Sequence, residues 1–115
     1  QVRIATELPA RGFARMARQD IPNIPDTEES FVQLRQRVAT VQELVASISD
    51  GAINADPDGP LTFPAGGGEM TLPRLAYLQT FILPNLYFHT ATAYGLLRAC
   101  GVPIGKRDYL AVPTQ

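Results

Sequence analysis

Residues 73–103 read PRLAYLQTFILPNLYFHTATAYGLLRACGVP, and how this run folds decides the architecture of the whole chain. Leu75, Leu78, Ile82, Leu86, His89, Ala93, Leu96 and Cys100 recur at three- and four-residue steps, which is the period of one helix face. Tyr77, Phe81, Phe88 and Leu97 widen that face enough to be flanked on two sides, so the spacing predicts a central helix of a bundle. Pro73 suits the first helical position, and Gly101, Val102 and Pro103 supply a left-handed C′ residue, its hydrophobic contact and a stop. At ~1.5 Å per residue the helix would run on the order of 40 Å. Pro84 has no N–H for the carbonyl of Thr80, so a bend is expected at that level.

Working back toward the N-terminus, Gly66, Gly67 and Gly68 separate two short alternating pieces, 61–64 and 69–72, and predict a β-hairpin with a glycine turn. Isolated hairpins are marginal in water, so Leu61, Phe63, Met70 and Leu72 are expected to lie on the bundle or against another chain. The stretch from Gly51 to Pro60 reads as a loop. Before it, Phe31, Leu34, Val38, Val41, Leu44, Val45 and Ile48 form one stripe, with Gln33, Arg35, Gln36, Arg37, Gln42 and Glu43 assigned to solvent. Asp26 and Glu29 are placed to cap that helix, which is expected to stop at Ser49, Asp50 and Gly51. Residues 1–18 form another amphipathic helix, with a kink or break expected near Leu8 because Pro9 lies inside it. The prolines at 22 and 25 mark a loop between the two. Apolar periodicity is already running at Val2 with no capping residue ahead of it, so the chain is expected to begin inside a helix and to lack an earlier part of its bundle.

Length and composition allow one domain, residues 1–115, and narrow the partners. With 10 basic and 11 acidic side chains, the chain carries a net charge of -1 and no general field for phosphate backbones or anionic lipid. Neither nucleic acid nor a membrane is expected as a partner. A single cysteine, Cys100, closes no intrachain bridge, which points to the cytoplasm. Beside a helix C-terminus its thiolate is disfavoured, so an inert thiol is expected.

The run Leu83-Pro84-Asn85-Leu86-Tyr87-Phe88-His89-Thr90-Ala91-Thr92-Ala93-Tyr94, continued by Gly101-Val102-Pro103-Ile104-Gly105-Lys106-Arg107-Asp108-Tyr109-Leu110, resembles a bacterial family of domains of unknown function, number nineteen-ninety-three. Shorter matches at Gln1-Val2-Arg3-Ile4-Ala5 and Asp26-Thr27-Glu28 fall in the same order and extend the likeness over nearly the whole chain. That family is similar to the DinB and YfiT-like superfamily. The resemblance implies an all-α fold, a DinB-like four-helix bundle lacking its first helix in this chain, with a small β-hairpin before the last long helix. Several members of the superfamily are metal-dependent enzymes, thiol-dependent transferases and isomerases among them. They typically hold the metal with one histidine from the second helix and an H-x-x-x-H pair on the last. In this chain His89 stands alone, Ala93 follows four residues later, and the second-helix segment offers Gln1 and Glu7 without a histidine. The resemblance therefore implies the fold and no metal or other cofactor.

His89, one turn after Asn85, is the first candidate for contact with a small ligand. The plainer reading is a buried histidine whose nitrogens are satisfied by Asn85, a tyrosine or backbone groups. Tyr87 and Tyr94 share a face, with Arg98 one turn beyond Tyr94, and could hold an anionic or aromatic molecule. Their plainer reading is helix packing with hydroxyls at the rim. Residues 101–106 resemble a phosphate loop only superficially, because they end a helix rather than open one. Lys106, Arg107 and Asp108 read as a charged tail anchored by Tyr109 and Leu110.

No nucleophile with a base partner is visible. The expectation is a metal-free bundle that binds a small molecule or a protein surface, as a homodimer that covers the last helix. The alternative is a divergent metal-dependent enzyme whose site is completed by residues outside this chain.

Overall fold

The structure, a computed structural model, describes residues 1–113. Three long helical elements carry it: α1 (Val2–Met16), α2 (Phe31–Ser47), and a rod made of α4 (Arg74–Tyr77), a π-turn (Leu78–Ile82) and α5 (Leu83–Ala99). Between α2 and the rod lie α3 (Asp50–Asn54) and an antiparallel hairpin of β1 (Pro60–Ala65) and β2 (Gly68–Pro73); α6 (Lys106–Tyr109) follows the rod. Among the described residues no helix is long and apolar enough to cross a membrane.

The central element is α1, not the last helix. Its small residues Ala10, Gly12 and Ala14 are buried and let α2 pack on one side and α5 on the other. A Cβ on Gly12 would overlap Ile82 Cδ1, so this crossing depends on the missing side chain. By contrast, α5 has no buried residue, and Phe88 and Leu96 are 64% and 56% exposed. Pro9 does not break α1, which runs unbroken through it.

The tight core lies at one end of the molecule, where Met16, Leu61, Phe63, Tyr77 and Ile82 meet. The rings of Phe63 and Tyr77 are centred 4.5 Å apart. The hairpin delivers Leu61 and Phe63 into this cluster, while Met70, opposite Phe63, stays 46% exposed. Gly66 and Gly67 have φ of 59° and 81°, the paired positive values of the two-residue hairpin turn whose twist matches the strands. Proline occupies both strands, with Pro60 opposite Pro73 and Pro64 opposite Glu69.

Within the rod, Pro84 is accommodated by a wider turn rather than by a simple bend. The N–H of Leu83 bonds Leu78 O, five residues back, and Tyr77 and Ile82, also five apart, are buried together. Asn85 Nδ2 donates to Phe81 O at 2.7 Å, supplying a side-chain donor where the ladder is disturbed.

Several boundaries differ from the expected ones. Helix α2 opens at Phe31, because Ser30 Oγ accepts from Gln33 N at 3.2 Å while Gln33 Oε1 accepts from Glu29 N at 2.6 Å. Asp26 serves Arg37 instead, its Oδ1 lying 3.0 Å from Nη1. The first residues of the expected 51–60 loop belong to the short α3, capped by Ser49, while 55–59 form no helix or strand; the buried Arg74 holds the C-terminal end of α3 through Ala55 O at 2.9 Å and Ala52 O at 3.4 Å. The expected charged tail is α6, whose start is fixed by Gly105 N donating to Asp108 Oδ2 at 2.7 Å. Tyr109 does anchor it, against Tyr94 at 5.7 Å, but Leu110 is 53% exposed.

Arg37 is the largest departure. Assigned to solvent by its charge, it is buried in the α1–α2 interface. Its Nε donates to Thr6 Oγ1 at 2.8 Å and its Nη1 to Glu28 Oε1 at 2.9 Å and Pro25 O at 3.0 Å. Arg3 Nε holds the other oxygen of Glu28 at 3.0 Å. One arginine therefore fastens the 17–30 connection to two helices. Meanwhile Phe31, expected at the start of the apolar stripe, is 73% exposed, and its neighbour Val32 is 71% exposed.

Candidate functional site

Both α2 and α5 pack on α1, and a groove opens between them at the start of α1, which contributes Gln1 and Val2 to its lining. Leu34 and Val38 project from α2 one turn apart, and Leu96 and Leu97 from α5, with Phe31 and Val102 also in the lining. The groove encloses about 690 Å³ and is lined mainly by apolar side chains. That volume is in the range of small-molecule sites, ~300–1,000 Å³. The same stripe residues that the period assigns to a packed core here form the walls of an open trough.

A polar pair stands beside its N-terminal end. His89 Nδ1 lies 2.6 Å from Gln1 Oε1, two residues 88 positions apart in sequence. An amide oxygen only accepts, so in the neutral imidazole this contact sets the ring proton on Nδ1, with Nε2 as the acceptor. The Phe88 ring packs edge-on to the imidazole at 5.1 Å. Gln1 lines the groove, so the pair marks where the apolar trough meets hydrogen-bonding groups.

The other candidates are not gathered around His89. The amide of Asn85 bonds the backbone of Phe81, not the imidazole. Tyr94 and Arg98 do pair, with Arg98 Nη1 3.1 Å from the Tyr94 hydroxyl and the guanidinium carbon 5.8 Å from the ring centre. Tyr109 completes that cluster. Tyr87 is 58% exposed and apart from it. Cys100, expected on the inward face, is exposed.

Gln1 is the functional candidate that sequence reading missed as a partner of His89, since nothing local connects the two positions. The donor set here does not fit the three-histidine metal site of the superfamily. His89 and Gln1 hydrogen-bond to each other, Ala93 offers no donor, and an amide oxygen with one imidazole falls short of the three protein ligands a zinc ion takes. Among the described residues no group of three or more His, Cys, Asp or Glu stands close enough together to hold a metal ion.

Comparison with known proteins agrees with this architecture. A solved structure of a DinB family member protein from Shewanella denitrificans superposes with a TM-score of 0.85 at 35% sequence identity. The match covers 99% of this chain and 65% of that one, so the chain spans less than two thirds of the length of that relative. No curated protein matches the sequence. The model of a domain of unknown function, DUF1993, matches residues 1–110. Carrying a DinB-like helical fold with a small hairpin, the chain belongs to the DUF1993 family.

Proposed function

We propose that this chain is a binding module, a metal-free DinB-like bundle whose groove between α2 and α5 receives a small, largely apolar molecule. The observation that carries the reading is the groove itself: about 690 Å³, walled by Leu34, Val38, Leu96 and Leu97, with Gln1, Arg35 and Gln42 as its polar lining and His89 bonded to Gln1. Apolar walls supply affinity, and the free Nε2 of His89 with the Gln1 amide supplies orientation. We place the protein in the bacterial cytoplasm, in keeping with a lone exposed thiol.

Titration of the full protein with a fluorescent fatty acid tests this. Saturable binding that Val38→Asp abolishes, in a variant of unchanged circular dichroism, supports it; absence of binding removes it. Metal analysis of the same protein addresses the enzyme alternative. Stoichiometric zinc or nickel that disappears in His89→Ala would replace the binding reading with that of a divergent thiol-dependent transferase or isomerase.

A second reading, an interaction module that pairs with its own copy, is favoured by the exposed apolar side chains of α2 and α5. Phe31, Val32, Tyr87 and Phe88 are each more than half exposed, at 73%, 71%, 58% and 64%. Exposed large apolar side chains adjacent in sequence on each of two helices are the kind of surface that a second copy could cover.

A further inference from the structure

On the far side of α1 from the groove, a second and smaller cavity of about 210 Å³ opens between α1, the hairpin and the π-turn. Its walls are of two kinds. Ile4, Leu8, Pro64 and Phe81 are apolar, whereas Glu7, Arg11, Arg15 and Tyr77 bring polar atoms to it. Glu7, Arg11 and Arg15 lie at four-residue spacing on α1 and so share one face.

The polar groups are incompletely matched. Glu7 Oε1 approaches Arg11 Nε at 2.8 Å, yet it lies out of line with the N–H, which is buried and makes no hydrogen bond. Arg15 has no carboxylate within ion-pair distance among the described residues, and its Nη1 reaches only the Tyr77 oxygen, at 3.4 Å. Tyr77 is fully buried, and as the acceptor in that contact it retains its own O–H, for which no acceptor is found among the described residues. Two guanidiniums less one carboxylate leave a single positive charge. Phe81 lies nearly parallel to the Tyr77 ring, at 14° and 5.6 Å between centres, and forms an apolar wall beside these donors.

The geometry points to a binding site for a small monocarboxylic acid, its carboxylate on Arg15, Arg11 and the Tyr77 hydroxyl and its apolar body against Phe81, Leu8 and Pro64. One negative charge completes the local balance, and a planar carboxylate matches the fork of a guanidinium. Burial pushes the Tyr77 phenol above its ordinary value, with Arg15 pulling the other way, so at neutral pH the phenol keeps its proton and can donate. A π-turn re-aims side chains locally, and such turns are frequent at functional sites. This site is independent of the groove, so either can fail without the other.

Calorimetric titration of the full protein at low ionic strength tests the assignment with benzoate, propionate and inorganic phosphate. Benzoate is expected to bind at one site and more tightly than phosphate. Arg15→Ala should weaken it tenfold or more and Tyr77→Phe severalfold, with Arg107→Ala, on the distant α6, as the unchanged control. Where Arg15→Ala lowers the melting temperature, Arg15→Gln, which keeps the side-chain bulk, takes its place. Benzoate affinity indifferent to both Arg15 and Tyr77, a preference for phosphate, or no saturable binding overturns the proposal.

Discussion

Arg37 carries more of the structure than any other single side chain. It joins α2 to Thr6 of α1 and to Glu28 and Pro25 of the connection, all through charge-assisted or neutral hydrogen bonds at 2.8–3.0 Å. Arg37→Ala removes every one of these and leaves Glu28 with Arg3 alone, so a loss on the order of 3 kcal/mol is expected in urea unfolding. The hydrogen bond from Arg37 also holds the Glu28 carboxyl below its ordinary value, outweighing the burial that opposes it. A depressed carboxylate stabilises the fold above its unfolded pKa, about 4.3, and that contribution fades as pH falls through the lower folded value. Glu28→Gln lacks this contribution, so urea unfolding followed by circular dichroism should show it less stable than the wild type at neutral pH and with a shallower loss on acidification, the wild type losing stability more steeply below about pH 4. Periodicity could not reveal this clamp, because a charged residue on an amphipathic helix is assigned to water unless its partners are known. Those partners lie 31 and 9 residues away. The same limit hid Gln1 from His89.

Helix ends divide into legible and hidden ones by a single residue type. After α5, Gly101 has φ 86°, with its N–H on Arg98 O and the Val102 N–H on Leu97 O, the ending that Gly101-Val102-Pro103 announces. After α1 the same pair of bonds forms, Arg18 N to Arg15 O and Gln19 N to Ala14 O, but the left-handed residue is Arg18, at φ 57°. Sequence gives no warning of it. Arg18→Gly is expected to stabilise the protein by about 0.5–1 kcal/mol, read as a raised melting temperature, since its exposed ion pair with Asp56 contributes little. The π-turn is the other hidden element. A period of 3.6 carried from Pro73 to Cys100 predicts one continuous face, whereas the extra residue in Leu78–Ile82 rotates everything after it relative to Tyr77. It is also where α1 crosses: Gly12→Ala should cost about 1–3 kcal/mol by driving a methyl into Ile82. Ile82→Val removes the overlapping Cδ1, so the double variant is expected to recover part of that loss, a non-additive result visible in a double-mutant cycle.

At the scale of the whole molecule, packing is uneven. One end holds the aromatic cluster of Phe63, Tyr77 and Phe81; the other leaves α2 and α5 leaning on α1 with a trough between them. The hairpin, its glycine turn and the three long helical elements were legible from spacing and turn chemistry. Which helix lies in the middle was not, because α1 earns that place through small residues, Ala10, Gly12 and Ala14, that a hydrophobic stripe undervalues. If copies pair through the exposed apolar side chains of α2 and α5, light scattering on the full protein should give a dimer that Phe88→Glu converts to a monomer with unchanged circular dichroism. A wild type that stays monomeric over a wide concentration range removes the pairing.

The hairpin bears on how far any such gathering can go. Proline stands at 60 and 64 on one strand and at 73 on the other, and proline offers an incoming chain no backbone donor. The β1 margin is interrupted twice and the six-residue β2 ends on its proline, so this little sheet is a poor template for stacking further strands, and a crowded solution of the protein should yield small closed assemblies rather than fibres.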